Sequence, residues 1–81
     1  MKKILVVEDE STLREGIATA FRDRGWHVAE ASDAELASGL LQGEVYDVVV
    51  TDYRMPGGSG LDVVRRCRLT NEGTVVVMTA A

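Results

Sequence analysis

A chain of 81 residues has room for one small domain, and 46% apolar with 27% charged residues belongs to a folded, water-soluble chain rather than a disordered one. A net charge of −4 argues against a nucleic-acid-binding surface, and a single cysteine, Cys67, excludes an internal disulfide and fits a reducing compartment. Lys2-Lys3 ahead of Ile4-Leu5-Val6-Val7 faintly mimics a secretion signal, but Glu8 ends the apolar run, and nothing approaches the roughly 20 apolar residues of a membrane span. A cytoplasmic location is expected.

Ile4 to Val7 predicts a strand buried on both faces that stops on the acids Glu8 and Asp9. From Ser11 to Arg24, Leu13, Ile17, Ala20 and Phe21 recur at helical spacing and read as core. Thr12 with Glu15 forms a candidate capping box, and Gly25 stands where a left-handed residue ends a helix. Trp26 to Ala31 alternates weakly and carries Glu30, so an edge strand is expected. Ser32-Asp33-Ala34-Glu35 is a second capping-box pattern, opening a helix through Leu36, Leu40 and Leu41 that Gly43 closes. Tyr46 to Asp52 contains Val48-Val49-Val50, again a doubly buried strand, and it too ends on a carboxylate.

Tyr53 to Gly60 cannot extend that strand, because Pro56 and three glycines interrupt it. Leu61, Val64 and Cys67, with Val63, predict a third helix, with Arg65, Arg66 and Arg68 in its last turns, where cations suit the macrodipole. Asn71-Glu72-Gly73 makes a turn, and Thr74 to Thr79 a fourth strand. Strands joined by crossover helices are parallel, and right-handed crossovers set helices on both faces of the sheet. The fold class is therefore α/β, a three-layer parallel sheet in the order β-α-β-α-β-α-β.

If the first and third strands are neighbours, Glu8, Asp9 and Asp52 meet at the carboxyl edge of the sheet, where ligands of such folds bind. Three adjacent carboxylates repel, and a hard divalent cation resolves the conflict. Mg²⁺ takes oxygen ligands, commonly one or two carboxylates with waters and phosphate oxygens, and without a Cys/His cluster zinc is disfavoured. Any one of these acids could simply face solvent; the three together favour a site.

These residues carry a resemblance. Val6-Val7-Glu8-Asp9-Glu10, Asp52-Tyr53-Arg54-Met55-Pro56-Gly57 with Gly60-Leu61-Asp62, and Val77-Met78-Thr79-Ala80 look like the receiver domains of two-component response regulators, in register over the whole chain. The Asp-Tyr-Arg-Met-Pro wording is similar to receivers attached to transcription activators of the nitrogen-regulator type. The resemblance implies a flavodoxin-like sheet of strand order 2-1-3-4. It implies a phosphoryl group passed from a sensor histidine kinase to Asp52 with Mg²⁺ as cofactor. Asp9 would ligate Mg²⁺ directly, Glu8 (where the family more often has Asp) through water, and Arg54 through its main-chain carbonyl. Thr79 would bind a phosphoryl oxygen and act as the switch, with small Ala80 leaving room.

A receiver has five β-α units, so residues 1–81 are expected to form a partial one, without the fourth helix, fifth strand and fifth helix. The phosphoryl-pairing lysine and the switch aromatic fall outside the chain. Lys2 and Lys3 lie at the wrong strand end to replace that lysine, and losing such a charge-assisted partner removes about 1.5–3 kcal/mol. The fourth strand becomes a flat apolar edge, and uncovered sheet and first-helix surface follows, so a homo-oligomer with impaired signalling is expected.

Other residues read more plainly. His27 has no partner ligand in the pattern, Cys67 is a core hydrophobe, and Gly57-Gly58-Ser59-Gly60 lacks the ending of a P-loop. The arginines of the third helix suit a solvated helix end. The chain is thus expected to be a signalling module and not an enzyme. The rivals are an inactive folding fragment and a Mg²⁺-dependent aspartyl-phosphate phosphatase of the haloacid-dehalogenase type. Arg54 counts against the latter, because those enzymes use Asp-x-Asp.

Overall fold

The computed structural model describes residues 2–55 and 58–79. Its elements are β1 (Lys3–Val7), α1 (Ser11–Asp23), β2 (His27–Ala31), α2 (Ala34–Gly43), β3 (Val48–Asp52), β4 (Arg54–Met55), β5 (Gly58–Ser59), α3 (Gly60–Thr70) and β6 (Val75–Thr79). Four strands form one parallel sheet in the order β2-β1-β3-β6. This is the expected order, with β6 as the fourth strand of the α/β succession.

The sheet's two faces differ. Leu5, Val7, Val49, Ala34, Ala37, Leu41, Tyr46, Met55, Val63 and Cys67 form one buried cluster, so α2 and α3 cover this face together. Side chains alternate along a strand, so Ile4 and Val6 point to the other face, where α1 packs, and both are fully buried. Registered neighbours share a face, which puts Val48, Val50, Val75 and Val77 on the α1 side as well. There Val48 and Val50 are only half-buried, and Val75 and Val77 are 58% and 46% exposed. One helix is too narrow to cover four strands. The expectation of a doubly buried strand therefore holds for β1 and fails for β3.

The same geometry corrects the helical faces. In α1 only Ala18 is fully buried, while Leu13 is 49% exposed, Ala20 is exposed, and Ile17 and Phe21 are half-buried. The stripe is apolar, as expected, but much of it faces outward instead of forming core. In α2 the inward residues are Ala34, Ala37 and Leu41, and Leu36 points out. In α3 they are Gly60, Val63 and Cys67, with Leu61 exposed and Val64 half-buried.

Helix starts also differ from expectation. Glu10, not Thr12, caps α1, its carboxylate accepting from the Thr12 and Leu13 amides at 3.3 and 2.6 Å. Asp33, not Ser32, caps α2, accepting from the Leu36 amide at 2.8 Å. A capping box does occur, at α3: Ser59 Oγ accepts from the Leu61 amide and Asp62 accepts from the Ser59 amide. Gly25 has φ +86° after the last turn of α1, the left-handed conformation expected there.

Candidate phosphoryl-acceptor site

Parallel pairing carries the ends of β1 and β3 to one edge. Val7 lies opposite Thr51, so Glu8 and Asp9 leave β1 beside Asp52, the last residue of β3. One oxygen from each of these carboxylates lies within 4.8 Å of the others. Glu8 is buried, Asp52 half-buried and Asp9 exposed, so the cluster opens outward through Asp9.

Glu8 is the most constrained of the three. Its amide donates to the Ala31 carbonyl at 3.0 Å, extending the β1–β2 ladder by one bond. Its Oε2 accepts from the Glu10 amide at 3.1 Å. Burial pushes its carboxyl above the ordinary carboxylate range, and the charges of Asp9 and Asp52 push the same way against the opposing Glu10 amide. A cation between the three carboxylates removes that conflict. All the donors are oxygen, which suits a hard ion such as Mg²⁺ and not zinc.

The described residues after Asp52 carry strand pairing that the glycines there do not suggest. Arg54–Met55 and Gly58–Ser59 form a two-stranded antiparallel ribbon that the sequence did not announce. The Arg54 amide donates to Asp52 Oδ1 at 3.4 Å, the Tyr53 amide to the Thr79 carbonyl at 2.9 Å, and the Gly60 amide to the Tyr53 carbonyl at 2.8 Å. These bonds tie the loop to β6 and to the start of α3. A Cβ on Gly60 would sit 2.5 Å from the Asp52 carbonyl oxygen, so only glycine lets α3 begin this close to the site.

Thr79 is paired with Asp52 across the β3–β6 ladder, and its hydroxyl donates to the Thr51 carbonyl at 3.5 Å. Thr79 thus arrives at the expected edge. Arg54 is exposed in the ribbon directly after Asp52. Ala80 lies outside the described residues, as do Pro56 and Gly57. His27 is exposed at the far end of β2, away from the acids, and Cys67 is buried in the α2–α3 cluster. The roles of two residues at the site escaped the sequence reading. Glu10 donates its amide to Glu8, and Arg14 Nη1 donates to the Glu8 carbonyl at 2.9 Å. Glu10 closes the Val6-to-Glu10 stretch without a role read for it, and Arg14, outside every motif, lies one helical turn past the acids.

Residues 4–81 match the family described as response regulator receiver domain. The chain belongs to that family. As a receiver it is 38% identical over 78 residues to TcrX of Mycobacterium tuberculosis, covering 96% of this chain and 33% of TcrX. It is 43% identical over 67 residues to the chemotaxis protein CheY of Pseudomonas aeruginosa, covering 82% of this chain and 54% of CheY. It therefore spans about a third to a half of these curated relatives. The response regulator TrrA of Thermotoga maritima, solved with Mg²⁺ and BeF, superposes with a TM-score of 0.90 at 33% identity, covering all of this receiver and 70% of that chain. TrrA has also been solved with the histidine kinase ThkA, where it matches this receiver with a TM-score of 0.88. Among the described residues no helix is long and apolar enough to cross a membrane.

Proposed function

We propose that this receiver accepts a phosphoryl group on Asp52 from a sensor histidine kinase, with Mg²⁺ held by Glu8, Asp9, Asp52 and the main-chain carbonyl of Arg54. The convergence of three carboxylates within 4.8 Å at the mouth of the β3 loop carries the proposal. A phosphoryl group passing from a phosphohistidine to the Asp52 carboxylate breaks a P–N bond and forms a P–O bond. Bound Mg²⁺ supplies the positive charge that the phosphoryl oxygens and the carboxylates share. This chain's own part is positioning. Asp52 is aimed by the Arg54 amide, Glu8 is fixed by the Glu10 amide, and Thr79 stands at the same edge to receive a phosphoryl oxygen. The structures of TrrA with Mg²⁺ and BeF, and with a histidine kinase, support the same chemistry here.

On this reading the receiver is an acceptor and not an enzyme. Incubation with a small phosphodonor and Mg²⁺, followed by intact mass, tests it. One phosphoryl adduct that Asp52→Asn abolishes is expected. Continuous release of phosphate without an adduct would instead favour a phosphatase, and no reaction would favour an inactive fragment.

The open sheet face leads to a second expectation for this 81-residue chain. Val75 and Val77 on β6, Val48 and Val50 on β3, and Leu13 on α1 present apolar surface on one side, and the outer edge of β6 has no paired strand among the described residues. A second copy of the chain covering that face or edge would remove it from water. Sedimentation at micromolar concentration is expected to show self-association that Val77→Lys weakens. A cooperatively folded monomer there would falsify this part of the proposal.

A further inference from the structure

Arg14 sits in the second turn of α1 with its side chain 18% exposed. It grips two elements besides its own. Nη1 donates to the main-chain carbonyl of Glu8 at 2.9 Å, and Nε stands 3.4 Å from Glu30 Oε1 on β2. Glu30 is itself held from the other side by Arg22 Nη2 at 3.1 Å. The guanidinium is thus braced by β2 while it holds the corner where β1 turns into α1.

The Glu8 carbonyl belongs to the rigid peptide plane between Glu8 and Asp9. Fixing its oxygen fixes the direction in which Asp9 leaves the strand. The other constraints on this corner act elsewhere: the Glu10 amide holds the Glu8 carboxylate, and the Ala31 carbonyl holds the Glu8 amide. Among the described residues, only Arg14 bonds to the peptide that connects the two acids.

We infer that Arg14 is a positioning residue of the cation site, setting the Glu8–Asp9 peptide, and through it the Asp9 carboxylate, without touching the cation. The inference rests on the acidic-site reading above. Two effects of removing Arg14 oppose each other. Loss of a nearby positive charge favours a divalent cation, whereas loss of the brace lets Asp9 wander and weakens binding. Arg14→Lys separates them. It keeps the charge, but an ammonium on a flexible stem cannot hold a carbonyl and a carboxylate with one planar fork.

The test is Mg²⁺ titration calorimetry on the full chain, comparing wild type with Arg14→Lys, Arg14→Gln, Glu30→Gln and Arg22→Gln. Groups that orient metal ligands typically change affinity by about 10–100-fold, so both Arg14 variants are expected to bind about tenfold more weakly. Glu30→Gln, which removes the brace but not the grip, falls between them and wild type. Arg22→Gln breaks the other tie between α1 and β2, to Glu30 and the Val28 carbonyl away from the acids, and keeps wild-type affinity. In metal-free protein, the Asp9 and Glu10 backbone amide resonances shift in Arg14→Lys and stay in place in Arg22→Gln. Should Arg14→Gln fail to fold, Arg14→Lys carries the comparison.

Wild-type affinity in Arg14→Lys, or raised affinity in Arg14→Gln, overturns the inference alone. A wild type that binds no Mg²⁺ overturns the acidic-site reading, and the inference with it.

Discussion

Gly60 is where α3 comes closest to the site, and replacing it with alanine tests that contact directly. A Cβ there would lie 2.5 Å from the Asp52 carbonyl oxygen, 3.2 Å from the Asp52 carbonyl carbon and 3.1 Å from Tyr53 Cα. All three atoms are main chain, so relief requires α3 or the loop to move. Such overpacking costs about 1–3 kcal/mol. Moving α3 also stretches the bond from the Gly60 amide to the Tyr53 carbonyl, now 2.8 Å, which adds about 1 kcal/mol. A destabilisation of about 2–4 kcal/mol follows.

Gly16 and Gly39 are the internal controls. Both lie inside helices with nothing within 4 Å of an added Cβ, so alanine there is expected to stabilise by about 0.5–1 kcal/mol. Urea unfolding by circular dichroism measures all three variants. Sucrose raises every variant alike if the Gly60→Ala protein is too unstable to follow in buffer. Opposite signs are expected for Gly60→Ala and the two controls. A Gly60→Ala midpoint equal to that of Gly16→Ala would refute the close approach of α3 to Asp52.

Other perturbations follow from the same geometry. Glu8 has its carboxyl pKa raised in the fold by burial, so its contribution to stability is complete below the unfolded value and lost as pH rises through the folded one. Ionising Glu8 therefore costs the metal-free fold stability; Glu8→Gln should raise the metal-free melting temperature and reduce the stabilisation by Mg²⁺, both readable by calorimetry. Burial likewise raises the Tyr46 hydroxyl, whose share of stability is present below about pH 10 and lost above it. Tyr46→Phe should flatten part of the alkaline fall in stability, leaving the share of the Lys3–Glu44 ion pair, in which Lys3 is also raised. Ser59→Ala removes the cap of α3 and should cost about 1 kcal/mol in urea unfolding, with the helix start fraying next to Gly60.

Much of this was legible in the sequence. Apolar runs at strand length, separated by helical periodicities, give the succession of parallel strands and crossover helices, and the acids at strand ends converge because the strands are neighbours. What escaped was local competition. Thr12 and Ser32 match a capping pattern, but Glu10 and Asp33 stand closer to where the helices begin and their carboxylates reach the open amides. Leu36 and Leu61 fit an apolar stripe by spacing, yet α2 and α3 pack through Ala37, Val63 and Cys67, smaller residues that let the helices sit close to the sheet. The β4–β5 ribbon is two residues a side, too short to carry a period. Arg14 could not be found by pattern, because its role comes from β2 lying beside β1.

The central claim is that Asp52 is the residue that takes the phosphoryl group. An acyl phosphate reacts with hydroxylamine, which expels phosphate and leaves a stable hydroxamate on the carboxyl that carried it; a phosphate on Ser, Thr or Tyr does not. Phosphorylating the chain with Mg²⁺ present, adding hydroxylamine and mapping the mark by peptide mass spectrometry is therefore decisive. The mark is expected on Asp52 and to depend on Mg²⁺. A mark on Glu8 or Asp9, or a hydroxylamine-resistant phosphate on Ser59 or Thr79, would contradict the account.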